Sequence, residues 1–362
     1  MATRADTIAH HARGLGFVGA GCTPLGPLPD APFVAAWLAD GRAGEMGYLE
    51  RRAAERADPR GAFPWARALI SVAYPYPPPP PAPADWRTSL RGRIAAYAAG
   101  PDYHTHILTR LEALADRLGA TFPGARFLAY VDTGPIVERA WASRAGLGAL
   151  GRNTLLLDRA AGSYVLLGEL LTDLEVEPAP PVADHCGPCM RCVRACPTGA
   201  LEAGYTMDPR RCIADLTIEL RGPIPVPLRP ALENWIFGCD LCQQVCPWNA
   251  AGTETDELTP VLPDLLALDA DGFRTRFGRT AVARTRRAGL LRNVAVALGN
   301  SGNPDAVPSL ARALGDPDAL VRGHAAWALG RIGGHAARRA LDVARAREND
   351  AETAAEITAA LA

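Results

Sequence analysis

Lysine is missing from all 362 residues, so the 38 basic side chains are every one arginine. The simplest cause is GC-rich coding, which also fits the excess of Ala, Gly and Pro, and the absence therefore assigns no partner. The 39 acidic residues leave a net charge of −1, which excludes a global field that would steer polyanions, though not a local patch. Long apolar runs are also lacking. Residues 164–171 are among the longest and fall far short of the ~20 needed to cross a bilayer. The first 21 residues carry Asp6, His10 and His11 where a secretory leader needs an apolar core, so a cytoplasmic protein without a membrane partner is expected. What is present is an ordinary folded composition, 48% hydrophobic, with length for two or three domains.

Three regions follow one another. Residues 1–177 alternate helix and strand signals. Residues 68–74, 126–131 and 163–171 are short, apolar and strand-like. Between the first two, Ile107, Leu108, Leu111, Leu114 and Leu118 share one helical face, with Gly119 as the stop. The prolines at 77–81 read as an extended spacer. Residues 178–250 hold eight of the nine cysteines. Residues 251–362 are helical and repetitive: 295–302 (AVALGNSG) recurs 31 positions later as 326–333 (AWALGRIG). Asn303-Pro304-Asp305 and Asp316-Pro317-Asp318 punctuate the copies. About two HEAT-like units fit, too few for an independent core, so the array should lean on the rest of the chain.

Cys186, Cys189, Cys192 and Cys196 follow C-x2-C-x2-C-x3-C, and Pro197 comes next. In two-cluster ferredoxins the first three thiolates of such a run hold one 4Fe–4S cluster and the fourth crosses to the other. Cys239, Cys242 and Cys246-Pro247 supply the end of a second run, with Ile236 where its first member should stand. Cys212 is the remaining candidate. Cluster one then takes Cys186, Cys189, Cys192 and Cys246, and cluster two takes Cys196, Cys212, Cys239 and Cys242. Zinc competes for paired C-x2-C units but has no need of two Cys-Pro endings, and disulfides do not suit a reducing compartment. Cys22 lies outside the array and reads as a small buried hydrophobe.

Two weaker signals lie upstream. Asp132 ends a predicted strand, where α/β sheets place ligands, although a turn or cap residue would look the same. Residues 100–104 open a helix and bring Asp102 and His104 together. Downstream, residues 274–292 carry Arg274, Arg276, Arg279, Arg284, Arg286, Arg287 and Arg292 without one Asp or Glu.

The motifs together resemble one family, the epoxyqueuosine reductases. The resemblance is carried by Asp102-Tyr103-His104, Val131-Asp132-Thr133-Gly134-Pro135, Glu138-Arg139-Ala140, Asn153-Thr154, Gly162-Ser163-Tyr164 and Leu167-Gly168-Glu169-Leu170. The first cysteine run with Pro197-Thr198-Gly199-Ala200, Arg211-Cys212-Ile213 and Gly238-Cys239-Asp240 complete it. It implies an α/β cobalamin-binding domain, a ferredoxin-like domain with two 4Fe–4S clusters, and C-terminal HEAT-like repeats that bind tRNA. The implied reaction is the last step of queuosine biosynthesis, reduction of epoxyqueuosine to queuosine at the wobble position. Electrons would pass from the clusters to cobalamin, which attacks or reduces the epoxide. Asp132 would give the proton to the departing oxygen, its pKa raised by an apolar setting. Asp102 and His104 would support it, and Arg56, Asn153 and Ser163 would contact cobalamin together with Asp132. Arg284, Arg286, Arg287 and Arg292 would contact tRNA. A ferredoxin- or flavodoxin-type donor is implied, and a monomer is expected. A reductive dehalogenase and a ferredoxin fused to a scaffold are the rival readings; cobalamin content separates the second.

Overall fold

The computed structural model of the chain describes residues 3–79, 85–250, 252 and 256–362. Four strands form the main sheet: β1 (Gly19–Pro24), β2 (Ala68–Pro75), β3 (Phe127–Tyr130) and β4 (Val165–Thr172). Their order is β1-β2-β4-β3, and all three pairings are antiparallel. The region is thus α/β in its layers but not a parallel sheet, so the strand-end rule that singled out Asp132 does not apply to it.

Alternation along β4 sorts the layers. Leu170 and its cross-strand partner Ile70 face α1 (Arg4–Arg13) and α2 (Tyr103–Thr121), burying Ile107, Leu111, Leu114, Leu118 and Cys22 in one core. Full burial of such a side chain contributes ~1.5–3 kcal/mol. Gly168 lets α2 approach, because a Cβ there would lie 2.9 Å from a methyl of Leu111. Leu108, expected on the buried face, is exposed, and α2 runs through Gly119 to Thr121. A glycine there costs the helix ~0.5–1 kcal/mol relative to alanine but does not end it. On the opposite face, Leu69, Leu171 and Leu128 pack against α3 (Glu138–Arg144).

The regions interlock more than their order suggests. The short strand Arg93–Ile94 leaves the first region to pair in parallel with Trp235–Phe237 of the cysteine-rich region. Leu90, Ile94, Ala96 and Ala98 share one core with Phe237 and the C-terminal helices, as the shortness of the repeat array requires. Residues 77–79 of the proline run are irregular, and Pro80 and Pro81 lie outside the described residues.

The C-terminal part contains α4 (Arg286–Ser301), α5 (Val307–Ala313), α6 (Ala319–Ile332), α7 (Gly334–Arg345) and α8 (Ala351–Leu361). The 31-residue repeat falls on α4 and α6, which pack together, and α6 packs in turn on α8. A Cβ on Gly299 would lie 2.8 Å from the Ala328 backbone, and one on Gly330 would lie 2.8 Å from that of Ala360. The repeated glycine is therefore a packing requirement, one small residue for each helix contact. Asp318 and Asp350 cap α6 and α8 by accepting from the backbone N–H of Leu320 and Thr353.

Candidate functional site

Asp102 is the N-cap of α2. Its Oδ1 accepts the His104 backbone N–H at 3.0 Å and lies 2.7 Å from His104 Nδ1. This double hold fixes the ring so that Nε2 lies 3.4 Å from Asp132 Oδ2. Tyr103 donates its hydroxyl to the same oxygen at 3.2 Å, and its ring stacks on His104 with centroids 4.0 Å apart. The three predicted catalytic residues converge, with Tyr103 as a fourth whose role the sequence pattern does not disclose.

Asp132 follows β3 in a left-handed backbone conformation, φ 57°, uncommon for a residue with a side chain. The hydrogen bond from His104 outweighs burial and holds its carboxyl below the usual carboxylate range. Asp132 in turn raises His104 above an ordinary imidazole, with Asp102 adding to the effect. This corrects the expected raised pKa of Asp132: a cation-forming ring within reach overrides desolvation. The proton of the pair rests on His104.

Tyr48, Asp132 and Arg139 reach water, yet desolvation raises the Tyr48 hydroxyl and lowers the Arg139 guanidinium. Asp132 thus faces solvent on a crowded surface that it shares with Tyr48 and Arg139. Beside it, the helix Ala31–Ala39 buries none of its residues although its sequence is APFVAAWLA. Val34 and Leu38 of that helix line an apolar groove with Arg56 and Val137. Arg56 donates to the carbonyls of Tyr48 and Leu49 at 3.1 Å.

One of the two expected cysteine sets lines a common cavity. Cys186, Cys189, Cys192 and Cys246 line a cavity of about 200 Å³ together with Arg152, Asn153 and Trp248. In the other set, burial raises Cys212 to about 11 and Cys239 and Cys242 well above an ordinary thiol. Cys212 feels Cys196, and Cys242 feels both. At Cys196 burial is outweighed by hydrogen bonds from Thr198 and from the backbone N–H groups of Leu201 and Ala200, which lower its thiol. The three raised thiols resist ionisation without a cation among them, and a cluster's irons would supply one. The donor set fits 4Fe–4S clusters. Tyr97 shares an apolar cluster with Cys239 and meets Tyr103 edge-to-face at 5.8 Å. Tyr103, which bonds Asp132, thus touches an aromatic ring that packs on the same apolar cluster as Cys239.

Two predicted cofactor contacts sit elsewhere than expected. Asn153 lines the first cysteine cavity, its buried amide Nδ2 without a partner among the described residues. The Ser163 hydroxyl donates to Gln243 Oε1 at 2.8 Å and accepts from Asn249 Nδ2 at 2.9 Å, tying the sheet to the cluster domain.

The arginine patch also divides. Arg292 is fully buried and donates to the carbonyls of Leu216, Leu220 and Gly222. It cannot touch RNA, a correction hidden from sequence because the carbonyls lie 70 or more residues upstream. Arg284 is bidentate to Glu219, and Arg287 pairs with Asp316. Arg276, Arg279 and Arg286 are exposed and without a carboxylate partner among the described residues. The patch borders the surface around Asp132: the Arg279 carbonyl accepts the Asp102 N–H at 2.9 Å, and Arg284 lies 5.8 Å from the Tyr48 ring.

Residues 56–133 match the family model for epoxyqueuosine reductase QueG, DUF1730. Residues 185–249 match the 4Fe-4S double cluster binding domain, and 280–362 match HEAT repeats. The chain is 39% identical over 345 residues to the epoxyqueuosine reductase of Xanthomonas campestris pv. campestris, covering 92% of this chain and 96% of that one. A crystal structure of epoxyqueuosine reductase with an epoxyqueuosine-modified tRNA-Tyr stem loop has a TM-score of 0.88 at 31% identity, over 98% of this chain and 97% of that one. The Bacillus subtilis enzyme, with its catalytic aspartate loop swung out of the active site, has the same TM-score at 30% identity and the same coverage. With the likeness running over nearly its whole length, the chain belongs to the epoxyqueuosine reductase family.

Proposed function

We propose that the chain reduces epoxyqueuosine to queuosine at the wobble position of tRNA, consuming two electrons and two protons and releasing the epoxide oxygen as water. The observation that carries this reading is the solvent-facing Asp102–His104–Asp132 relay, with Tyr103 and Tyr97 lying toward the apolar cluster on which Cys239 packs. Cobalamin would lie against the unburied apolar helix Ala31–Ala39; the groove of Val34, Leu38, Arg56 and Val137, about 40 Å³, would take no more than an edge of it, and when bound it would supply a strongly reducing, nucleophilic metal. The remaining work falls to side chains. His104 holds a proton that Asp132 passes to the departing oxygen, while Asp102 keeps Nε2 aimed at Asp132. Tyr103 fixes the accepting oxygen of Asp132. The turn that carries Asp132 is the proposed counterpart of the catalytic aspartate loop that is swung out of the active site in the Bacillus subtilis relative.

Cys186, Cys189, Cys192 and Cys246 would hold one cluster and Cys196, Cys212, Cys239 and Cys242 the other. The Asn153 amide is suited to donate to the first cluster and tune its potential. The first set opens to solvent beside Arg152, Arg191 and the exposed Trp248, a surface suited to an acidic ferredoxin- or flavodoxin-type donor. A cytoplasmic monomer suits these partners; no helix among the described residues is long and apolar enough to cross a membrane.

The test is anaerobic incubation with epoxyqueuosine-containing tRNA and a chemical reductant, with and without cobalamin, followed by nucleoside mass analysis. Queuosine should form only with cobalamin. Turnover without it overturns the cofactor assignment, and no product under either condition overturns the reaction.

A further inference from the structure

Glu169 interrupts the apolar run of β4. It is fully buried, and neither carboxyl oxygen has a hydrogen-bond partner among the described residues. A charge placed there without a partner would cost several kcal/mol (order of magnitude), so its neighbours matter. In register across the sheet stand Ser71 of β2 and Tyr130 of β3, neither of them a cation. The titratable groups that act on Glu169 are Glu138 and Asp132. Glu138, at the start of α3, feels Asp132, Glu169 and Arg139. Arg139 is engaged with the carbonyl and hydroxyl of Thr154.

Glu138 also does something specific. Its Oε1 accepts the backbone N–H of Asp132 at 2.5 Å. That residue's left-handed conformation, φ 57°, is unfavourable for a residue with a side chain and persists only where its surroundings hold it. Tyr103 and His104 hold its side chain; beyond the tight turn closed by Thr133 N–H on the Val131 carbonyl at 2.6 Å, Glu138 is the side chain that holds its backbone. Glu169 has the parity of Leu171 on β4 and so faces α3, the helix that the half-buried Glu138 opens, and two carboxyls facing each other there cannot both ionise. Burial accordingly pushes Glu138 up to about 7 and Glu169 well above the carboxylate range.

We propose that Glu138 and Glu169 share one proton and together latch the Asp132 loop in its working position. A protonated Glu169 donates toward Glu138 and keeps it seated, with Oε1 free to accept from Asp132. Loss of the shared proton leaves two facing anions, drives Glu138 toward water and releases the loop. Both glutamates are positioning residues. The inference rests on the reading of Asp132 as the working acid, and it gives a chemical cause for the loop motion.

The test is amide hydrogen exchange of Asp132 in the full chain with both clusters, from about pH 6 to about pH 9, corrected for the intrinsic rate. In the wild type the protection should fall about tenfold per pH unit once the shared proton is lost. Glu169→Gln, which donates as the protonated acid does, should stay protected across the range and turn over close to the wild-type rate. Glu138→Ala should be unprotected throughout and lose on the order of 10²-fold in turnover, as expected of a misplaced catalytic group. Wild-type protection independent of pH would overturn the latch, as would Glu169→Gln losing protection as fully as Glu169→Leu. If Glu169→Leu does not fold, the pH profiles of the wild type and Glu169→Gln still decide. No substrate enters the exchange measurement, so its outcome is separate from that of the proposed reaction.

Discussion

His104 stands between two carboxylates, with Nδ1 2.7 Å from Asp102 and Nε2 3.4 Å from Asp132. A ring so placed is oriented by one acid and donates to the other, so the acid that faces substrate need not carry its own proton at rest.

This arrangement fixes a pH signature. The His104 pKa is raised and the Asp132 pKa lowered, so the pair holds its proton between those values. Activity should fall as pH rises through the raised His104 pKa, and the stability that His104 contributes should fade in the same window. Asp132→Asn should cost about 10²–10⁴-fold in turnover, the usual worth of general acid catalysis, with cobalamin still bound. Single-turnover rates and cobalamin absorbance check both halves. Loss of cobalamin binding would make Asp132 a pocket residue instead.

The cysteine sets predict an uneven response to single substitutions. Cys212→Ala should lose about half of roughly eight irons per chain, because it removes one corner of the deeply buried set. Cys22→Ala should keep them all: its thiol lies on β1 in the α1/α2 core. Iron assay after anaerobic reconstitution tests the pair, and full iron in Cys212→Ala would exclude it as a ligand.

The two kinds of helical glycine should respond with opposite sign to alanine. At Gly119 an added Cβ meets nothing within 4 Å, so Gly119→Ala should stabilise the fold by ~0.5–1 kcal/mol through helix propensity. At Gly330 the same Cβ lies 2.7 Å from that of Ala360 and 2.8 Å from its Cα. Overpacking against backbone costs ~1–3 kcal/mol and exceeds that gain, so Gly330→Ala should melt at a lower temperature than the wild type.

The sequence made the thiol sets legible because spacing alone limits which cysteines can share a cluster. It also placed Asp102 and His104 together, since two residues on one helix start cannot be far apart. Their meeting with Asp132 depends on how β3 lies against α2, and no local pattern encodes that. The same reason hid Arg292, whose acceptors belong to a distant segment. Glu169 did leave a trace: a carboxyl amid an apolar strand such as VLLGELLT is either paired or protonated. Its partner Glu138 could not be read, because α3 and β4 are neighbours only in space.

The exposed arginines beside the relay make the last prediction. Arg284 and Arg287 are bound to Glu219 and Asp316 and hold the protein together, so replacing them tests folding as much as binding. Arg276, Arg279 and Arg286 are exposed, and the Arg279 backbone holds Asp102 in place, so phosphates seated on these arginines would bring an anticodon loop to the relay. Arginine suits this task, because its planar fork pairs phosphate bidentately and stacks on unpaired bases. Substituting all three by alanine should weaken tRNA binding. Each arginine–phosphate pairing removed from a single-stranded loop should lower the slope of log affinity against log salt by about 0.7, or about 2 in total. Reduction of a free epoxyqueuosine nucleoside should persist, since the relay of Asp102, His104 and Asp132 is untouched. An unchanged salt slope would remove these arginines from the tRNA site, whereas loss of activity on the free nucleoside would show that the relay itself had been disturbed.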